Sequence, residues 1–408
     1  MIEPGSPSAS AKRRPPLDGV RILAVSQFGA GPFGTQVLAD LGAEVIKIED
    51  PGVGGDVARY VPPFAGEADS PYFQSFNRGK RSITLNLRHP DGQAVLHDLV
   101  RVSDAVFNNT RGDLPGKLGL TYEALKSVNP RVVCCALTGF GTTGPRAAEP
   151  AYDYLVQGYA GYMALTGEPD GPPTSVGLPI CDLGTGMWGA QGVLAALYER
   201  TRTGQGQKIE CSLLETAVGF SSWTSAGWLA DHVEPVRMGS RHRQNAPYQR
   251  FETADGYMMI GASGQSIWER CARALGHPEW LADPRFARPS ERRKNRFALE
   301  KEITAVLTTA PTAHWTKVLD DAGVPCGPVY TYEQLFADPQ VRHREMVVHA
   351  DDAELGRVPH IRTPIRMSTA AVAVRQTAPR LGQHTDEILA GLGYPPAQVA
   401  ELRRERVI

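Results

Sequence analysis

The segment from Val20 to Glu49 constrains the fold of this chain more than any other. A strand pattern at Val20–Val25 runs into the glycine-rich turn Gly29-Ala30-Gly31-Pro32-Phe33-Gly34. An amphipathic helix follows over about Gly34–Leu41, with Val37, Leu38 and Leu41 on one face. Gly42 stops that helix, and Glu44–Ile48 reads as a second apolar strand. The strand–helix–strand rhythm recurs through His89–Val102, Asp104–Phe107, Tyr122–Val128 and Val132–Leu137. A long helix is expected over about Gly184–Arg200, closed by the turn Thr203–Gly206, then a strand at Gln207–Cys211 and a helix over Leu213–Leu229. Strands alternating with helices bury both faces of a parallel sheet, so an α/β domain is expected.

One such domain does not use up the chain. At 408 residues it exceeds the ~250–300 residues at which single cores stop growing. Near His232 the texture changes. Tyr248–Thr253 and Tyr257–Ala262 flank an Asp255-Gly256 turn, the pattern of a β-hairpin. Helical stretches at Ile267–Leu275, Phe297–Thr308 and Thr312–Ala322 complete a smaller α+β domain over 236–335. Residues 17–220 form the first part of the large domain, with linkers over 221–235 and 336–350. Residues 351–408, holding Val358–Ile365 and helices at His384–Leu392 and Pro396–Arg406, return to it. Residues 1–16 are small, Pro-rich and without an apolar core region, hence a disordered tail and not a signal peptide. Lys12, Arg13 and Arg14 read as a solvated charge run.

Composition removes several function classes. Lys and Arg total 43 against 44 Asp and Glu, so a nucleic-acid or acidic-membrane binder, which needs a positive excess, is not favoured. The longest apolar runs, such as Val132–Leu137, fall far short of the ~18 residues of a membrane span. Six cysteines without a CxxC, and no HExxH, give no support to a disulfide framework or a metal site. They read as small apolar residues in a reducing cytoplasm.

The glycine turn fits the GxGxxG dinucleotide pattern, and Glu49 ends the next strand where a ribose-binding acid would sit. Alone, this supports an NAD-dependent oxidoreductase. Against it, Pro32 removes an N–H from the turn that should cradle a pyrophosphate, and Ser26-Gln27-Phe28 lengthens the connection. The turn is read as meeting the phosphates of some other nucleotide, with a merely close-packed βα turn as the alternative.

Several segments then act together. They are Pro16-Leu17-Asp18-Gly19-Val20-Arg21, Ala30-Gly31-Pro32-Phe33 and Ala39-Asp40-Leu41-Gly42-Ala43-Glu44-Val45-Ile46-Lys47-Ile48-Glu49, followed by Asn77-Arg78-Gly79-Lys80-Arg81-Ser82-Ile83, Gly139-Phe140-Gly141 with Gly144-Pro145-Arg146, and Leu381-Gly382-Gln383-His384-Thr385-Asp386-Glu387. In this order, from about Pro16 to Ile408, the chain resembles the class III CoA-transferases (CaiB/BaiF-like), the family of formyl-CoA, carnitine and succinate–glutarate CoA-transferases, with α-methylacyl-CoA racemase as a relative. The resemblance implies a large Rossmann-like domain built from both chain ends, a small inserted domain, and a homodimer of interlocked subunits. It also implies coenzyme A or acyl-CoA as substrate with no permanently bound cofactor, and a small carboxylic acid as acceptor.

The resemblance further places the catalytic aspartate, within Gly177-Leu178-Pro179-Ile180-Cys181-Asp182-Leu183-Gly184-Thr185-Gly186, at Asp182. Just before a helix, its carboxylate is expected to be kept ionised by the helix end; the plain alternative is a helix N-cap. Asp153 is a supporting acid, again with an N-cap alternative. Tyr152 stands where racemase relatives carry a catalytic histidine. A phenol of pKa ~10 is a poor base at neutral pH, which favours transferase over racemase. CoA contacts carry over to Ala30, Leu85, Arg88, Asn109, Lys117 and Arg146, each cation having a solvated surface charge as its alternative. Gly29 replaces the glutamine that formyl-CoA transferase has before this turn, and its Gly-rich loop has no counterpart around Met238–Tyr248, which argues against oxalate-type specificity. Arg241 is an expected contact for the acceptor carboxylate. A non-catalytic CoA-binding protein is the remaining alternative, opposed by the intact Asp182 motif.

Overall fold

Six parallel strands form the central sheet: β1 (Arg21–Val25), β2 (Glu44–Glu49), β3 (Lys80–Thr84), β4 (Ala105–Asn108), β5 (Val133–Thr138) and β6 (Lys208–Ser212), in the order β3-β2-β1-β4-β5-β6. This computed structural model describes residues 14–64 and 70–408. The tail expected over 1–16 therefore lies outside the described residues up to residue 13. The strands are short and rich in β-branched residues, and successive side chains alternate between two buried faces. Ile22, Ala24, Val45 and Phe107 point to one face, where they pack on α1 (Ala30–Asp40) and on the long helix α5 (Ile180–Thr203). Leu23, Ile46, Ile83 and Val106 point to the other. There they meet α3 (Pro90–Arg101) and the C-terminal helices Thr385–Gly391 and Pro396–Arg404, through Leu96, Leu389 and Leu402. Between β2 and β3 lies α2 (Pro71–Asn77), and between β5 and α5 lies α4 (Asp153–Tyr159).

Three details depart from expectation. Helix α5 begins at Ile180, four residues before the expected Gly184, so Asp182 lies inside its first turn and not before it. The helix expected over Leu213–Leu229 is two helices, α6 (Leu213–Phe220) and α7 (Ser222–Asp231), because the chain turns at Ser221. The strand at Gly356–Ile361 (β11) pairs antiparallel with Val347–Asp352 (β10) in its own two-stranded sheet.

The chain divides into two units. One gathers the described residues up to Ala160 with Val176–Asp231 and Arg342–Ile408. The other comprises Gly161–Ser175 and His232–Val341. This second unit holds the expected hairpin, β7 (Tyr248–Glu252) with β8 (Tyr257–Gly261), extended by β9 (Cys326–Pro328). Helices Gln265–Ala274, Arg296–Leu307 and Thr312–Asp321 bury Trp268, Ile303 and Leu319 in its core. Among the described residues, no helix is long and apolar enough to cross a membrane.

Candidate active site

Strand order reverses between β1 and β4, and ligands of open α/β sheets sit in the crevice outside the carboxyl ends of the strands at such a point. Here the loops after the two strands are tied together. Asn109 Oδ1 accepts from the Gln27 N–H at 2.9 Å, while its Nδ2 donates to the Gln27 carbonyl at 2.8 Å. A cleft of about 280 Å³ opens beside this pair, lined among others by Gly29, Ala30, Arg111, Tyr152 and Asp182. A second cleft of about 270 Å³, with Leu85, Leu87, Arg88 and Asp50, shares Gln27, Asn109 and Thr110 with the first. Together they run along the carboxyl edge of the sheet.

The glycine turn serves helix packing. A Cβ on Gly34 would lie 2.5 Å from the Gly186 carbonyl oxygen, so α1 and α5 approach this closely only because both positions lack side chains. A Cβ on Gly29 would overlap Asp182 Oδ2, so the aspartate carboxylate rests against the bare backbone of the turn. Buried charges hold the turn from beneath. Phe28 has a left-handed φ of 65°, and its N–H donates to Asp56 Oδ1 at 2.9 Å. The other oxygen of Asp56 takes the fully buried Lys47 ammonium at 2.7 Å, and Lys47 also donates to the Ser26 carbonyl. Glu49, the residue a dinucleotide would need for its ribose, is buried and clamped by both the Nε and Nη2 of Arg59 and by the Ser82 hydroxyl. This removes the ribose partner of the NAD alternative.

Asp182 is the third residue of α5, whose N-cap, Pro179, supplies no side-chain hydrogen bond. Its own backbone N–H donates to Asp153 Oδ2 at 2.8 Å. The helix is therefore capped from α4, and the capping role considered for Asp182 belongs to Asp153. Asp153 Oδ1 accepts from the Gln157 amide at 2.5 Å. Gln157, wholly buried one turn further along α4, also donates to the Leu178 carbonyl at 3.0 Å and accepts from the Val176 N–H at 2.9 Å. Burial, with the Asp153 charge added, pushes the Asp182 carboxyl up to about 7. The expected effect of the helix end on Asp182 is thus outweighed. Tyr72 of α2 faces the same group: burial, then the charge of Asp182, raises its hydroxyl above the ordinary phenol range. Nothing in the sequence singled out Tyr72 or Gln157, since a tyrosine and a glutamine within helices carry no motif of their own.

The other expected residues divide by location. Ala30 and Asn109 line the cleft that holds Asp182, and Leu85 and Arg88 line the second. Arg88 is largely exposed and paired with Asp50 at 2.8 Å. Lys117 lines neither cleft; its ammonium meets Asp113 at 2.8 Å, and Asp113 also holds Arg111, which the sequence reading missed. Arg111 follows Asn109 just past the end of β4, and that placement was its only sequence signal. Arg146 is paired with Glu149 and stacked on Tyr159; Glu149, not Arg146, lines the Asp182 cleft. Tyr152 is 72% exposed at the start of α4, on the cleft with Asp182. Arg241, in the second unit, grips Glu300 through two nitrogens at 2.7 and 2.8 Å and also meets Glu168.

Comparison with known proteins gives the family. The family model for CoA-transferase family III matches residues 17–385. A succinate–glutarate CoA-transferase of Agrobacterium fabrum is 37% identical over 93% of this chain and 96% of its own length. An acetyl-CoA:oxalate CoA-transferase of Acetobacter aceti is 39% identical over 83% of this chain and 87% of its own. A crystal structure of a CAIB/BAIF family protein from Brucella suis superposes with a TM-score of 0.83 at 38% identity, covering 93% of this chain and all of that one. With the matched segment spanning most of the chain, and the parallel sheet and switch-point clefts in place, the protein belongs to the CoA-transferase family III.

Proposed function

We propose that this enzyme moves CoA from an acyl-CoA to a dicarboxylic acid through covalent intermediates on Asp182. The observation that carries the reading is the placement of the Asp182 carboxylate on the bare backbone at Gly29, opening onto the switch-point cleft. An Asp182 carboxylate oxygen attacks the thioester carbonyl, the C–S bond breaks, and a mixed anhydride forms with release of CoA thiolate. The thiolate attacks the aspartyl carbonyl of the anhydride, freeing the first acid and leaving an aspartyl-CoA thioester. The acceptor carboxylate attacks that thioester and expels the thiolate again, giving the second anhydride. The thiolate then attacks its acyl carbonyl and regenerates Asp182. No net proton transfer is needed, which suits a site whose central groups are carboxylates.

Ala30, Leu85, Arg88 and Asn109, together with Lys117 and Arg146, are the proposed CoA contacts. The cations sit in exposed pairs that an incoming phosphate can replace, since such pairs are worth at most ~1 kcal/mol. An acceptor role for Arg241 requires its release from Glu300. The dicarboxylate class follows the acids named for the Agrobacterium fabrum relative, succinate and glutarate. We also propose that the second unit is an insertion in the first and that two copies of the chain associate. Six free thiols suit a reducing cytoplasm as the compartment.

Incubation with succinyl-CoA and no acceptor tests the mechanism. CoA should be found thioester-linked to the peptide containing Asp182 and be released by hydroxylamine. Asp182→Ala should fold, bind CoA and lose at least ~100-fold in kcat, because a relay through carbon cannot survive without its nucleophile. A smaller loss, or a thioester elsewhere, sinks the assignment.

A further inference from the structure

We propose that Gln157 is a positioning residue of the transfer reaction, its buried side chain fixing Asp153 against the backbone of Asp182 and so setting the aim of the nucleophile. The inference rests on the assignment of Asp182 as nucleophile.

Asp153 and Gln157 are spaced four residues apart on α4, so they lie one above the other on the same helix face. The three bonds of Gln157 are complementary in kind. Its NH₂ donates both to Asp153 Oδ1 and to the Leu178 carbonyl, and its oxygen accepts from the Val176 N–H. An amide is the one short-range group that supplies two donors and an acceptor from a single rigid plane. A glutamate in this place would turn an acceptor toward Asp153, and a leucine would leave the Val176 N–H and the Asp153 oxygen without this partner. Because Gln157 is wholly buried, water does not replace what is lost.

The chain of contacts then reaches the reacting group. Gln157 orients Asp153, and Asp153 accepts the Asp182 N–H, which fixes the first turn of α5. The Val176 and Leu178 bonds hold the approach to that same turn. Both ends of the short segment 176–182 are thus tied to one glutamine, directly or through its neighbour.

Charge follows from the same geometry. The groups around Asp182 are Asp153 from α4, Tyr72 from α2 and Cys181 on its own helix, with Arg111, Glu149 and Tyr152 lining the same cleft. α1 presents the backbone of the glycine turn, and α6 presents Thr216 and Phe220 beside Gly184. Asp153 is the one facing group whose charge acts on Asp182. Burial first, and the Asp153 charge second, raise the Asp182 carboxyl to about 7, and the bond from Gln157 fixes where the Asp153 carboxylate stands.

The test follows the rate at which the hydroxylamine-cleavable Asp182 thioester forms from succinyl-CoA alone, between about pH 5 and pH 9. In the wild type the rate should rise with a midpoint near 7, as the carboxyl ionises. Gln157→Leu should form the thioester at least ~10-fold more slowly, with its CoA affinity unchanged, and Gln157→Glu, which turns an acceptor toward Asp153, should not restore the rate. Adding Gln157→Leu to Asp153→Asn should slow the reaction no further, since the glutamine acts through Asp153. A folded Gln157→Leu protein with the wild-type rate overturns the proposal. If Gln157→Leu does not fold, a wild-type rate in Asp153→Asn overturns it equally. Absence of any thioester in the wild type would instead sink the nucleophile, a distinguishable result.

Discussion

At the scale of single residues, Asp182 opposes the stability of the fold that presents it. Its carboxyl is raised from 3.8 to about 7 by burial and by Asp153. Above pH 7 the folded chain must hold a charge that the unfolded chain carries in water. Stability from this group is therefore lost as pH rises from about 4 to about 7, and below pH 4 both states are protonated and no difference remains. A tenfold change in proton affinity corresponds to about 1.4 kcal/mol; with Asp182 open on one side to its cleft, an effect on the order of 2 kcal/mol is reasonable. Asp182→Asn keeps the shape and removes the charge. It should thus be more stable than the wild type at pH 8 by about that amount, and equal to it near pH 4, as read by denaturant titration. Equal stability at both values would show that the carboxyl is not raised. Such an opposition is common where a reactive group is preferred over a stable one.

At the scale of elements, the two helices that meet above the sheet are separated by backbone alone. Gly34→Ala would place a methyl 2.5 Å from the Gly186 carbonyl and 3.0 Å from the Phe107 ring, inside contact distance on two sides. Overpacking of this kind costs ~1–3 kcal/mol and is relieved by parting α1 from α5. Because Gly29 caps α1 and Asp182 sits in the first turn of α5, parting them moves the carboxylate off the turn. Gly34→Ala should lower kcat at least ~10-fold as well as stability, whereas Gly219→Ala on α6, with open space around it, should change neither. If kcat survives, the close approach is only packing. This is also where sequence legibility changed. The strands and helices were readable because each has one periodicity and a clear stop, and Asp182 was readable because its flanks match a family motif. The use of the glycines was not: GxGxxG specifies backbone without side chains, and a phosphate or a second helix satisfies it equally well. Asp153 was half legible, an acid at a helix start, because the helix it caps lies elsewhere in the chain. Gln157 was silent, since its meaning lies in three partners between 4 and 21 residues away.

At the scale of the whole molecule, exposed aromatic residues gather on three helices. Trp188 of α5 and Phe220 of α6 have ring centroids 6.3 Å apart, and α7 adds Trp223, Trp228 and Leu229; all five are exposed, Trp223 to 77%. An aromatic side chain offers 150–250 Å², so with about half of each ring exposed the four aromatics present roughly 400 Å². That is the size of the largest patch on an ordinary monomer, often a functional one, and about half of what each partner gives to a stable interface of standard size. An apolar patch of this kind suits a self-complementary contact between two copies. Sedimentation equilibrium should accordingly find a dimer, and Trp223→Glu combined with Leu229→Glu should give a monomer with an unchanged circular dichroism spectrum. The charges are placed on exposed positions, so their folding penalty is small, while burying two carboxylates in an interface is opposed by several kcal/mol. Retention of the dimer in that variant would put the contact on another face. A wild-type monomer at micromolar concentration would remove the proposed association altogether.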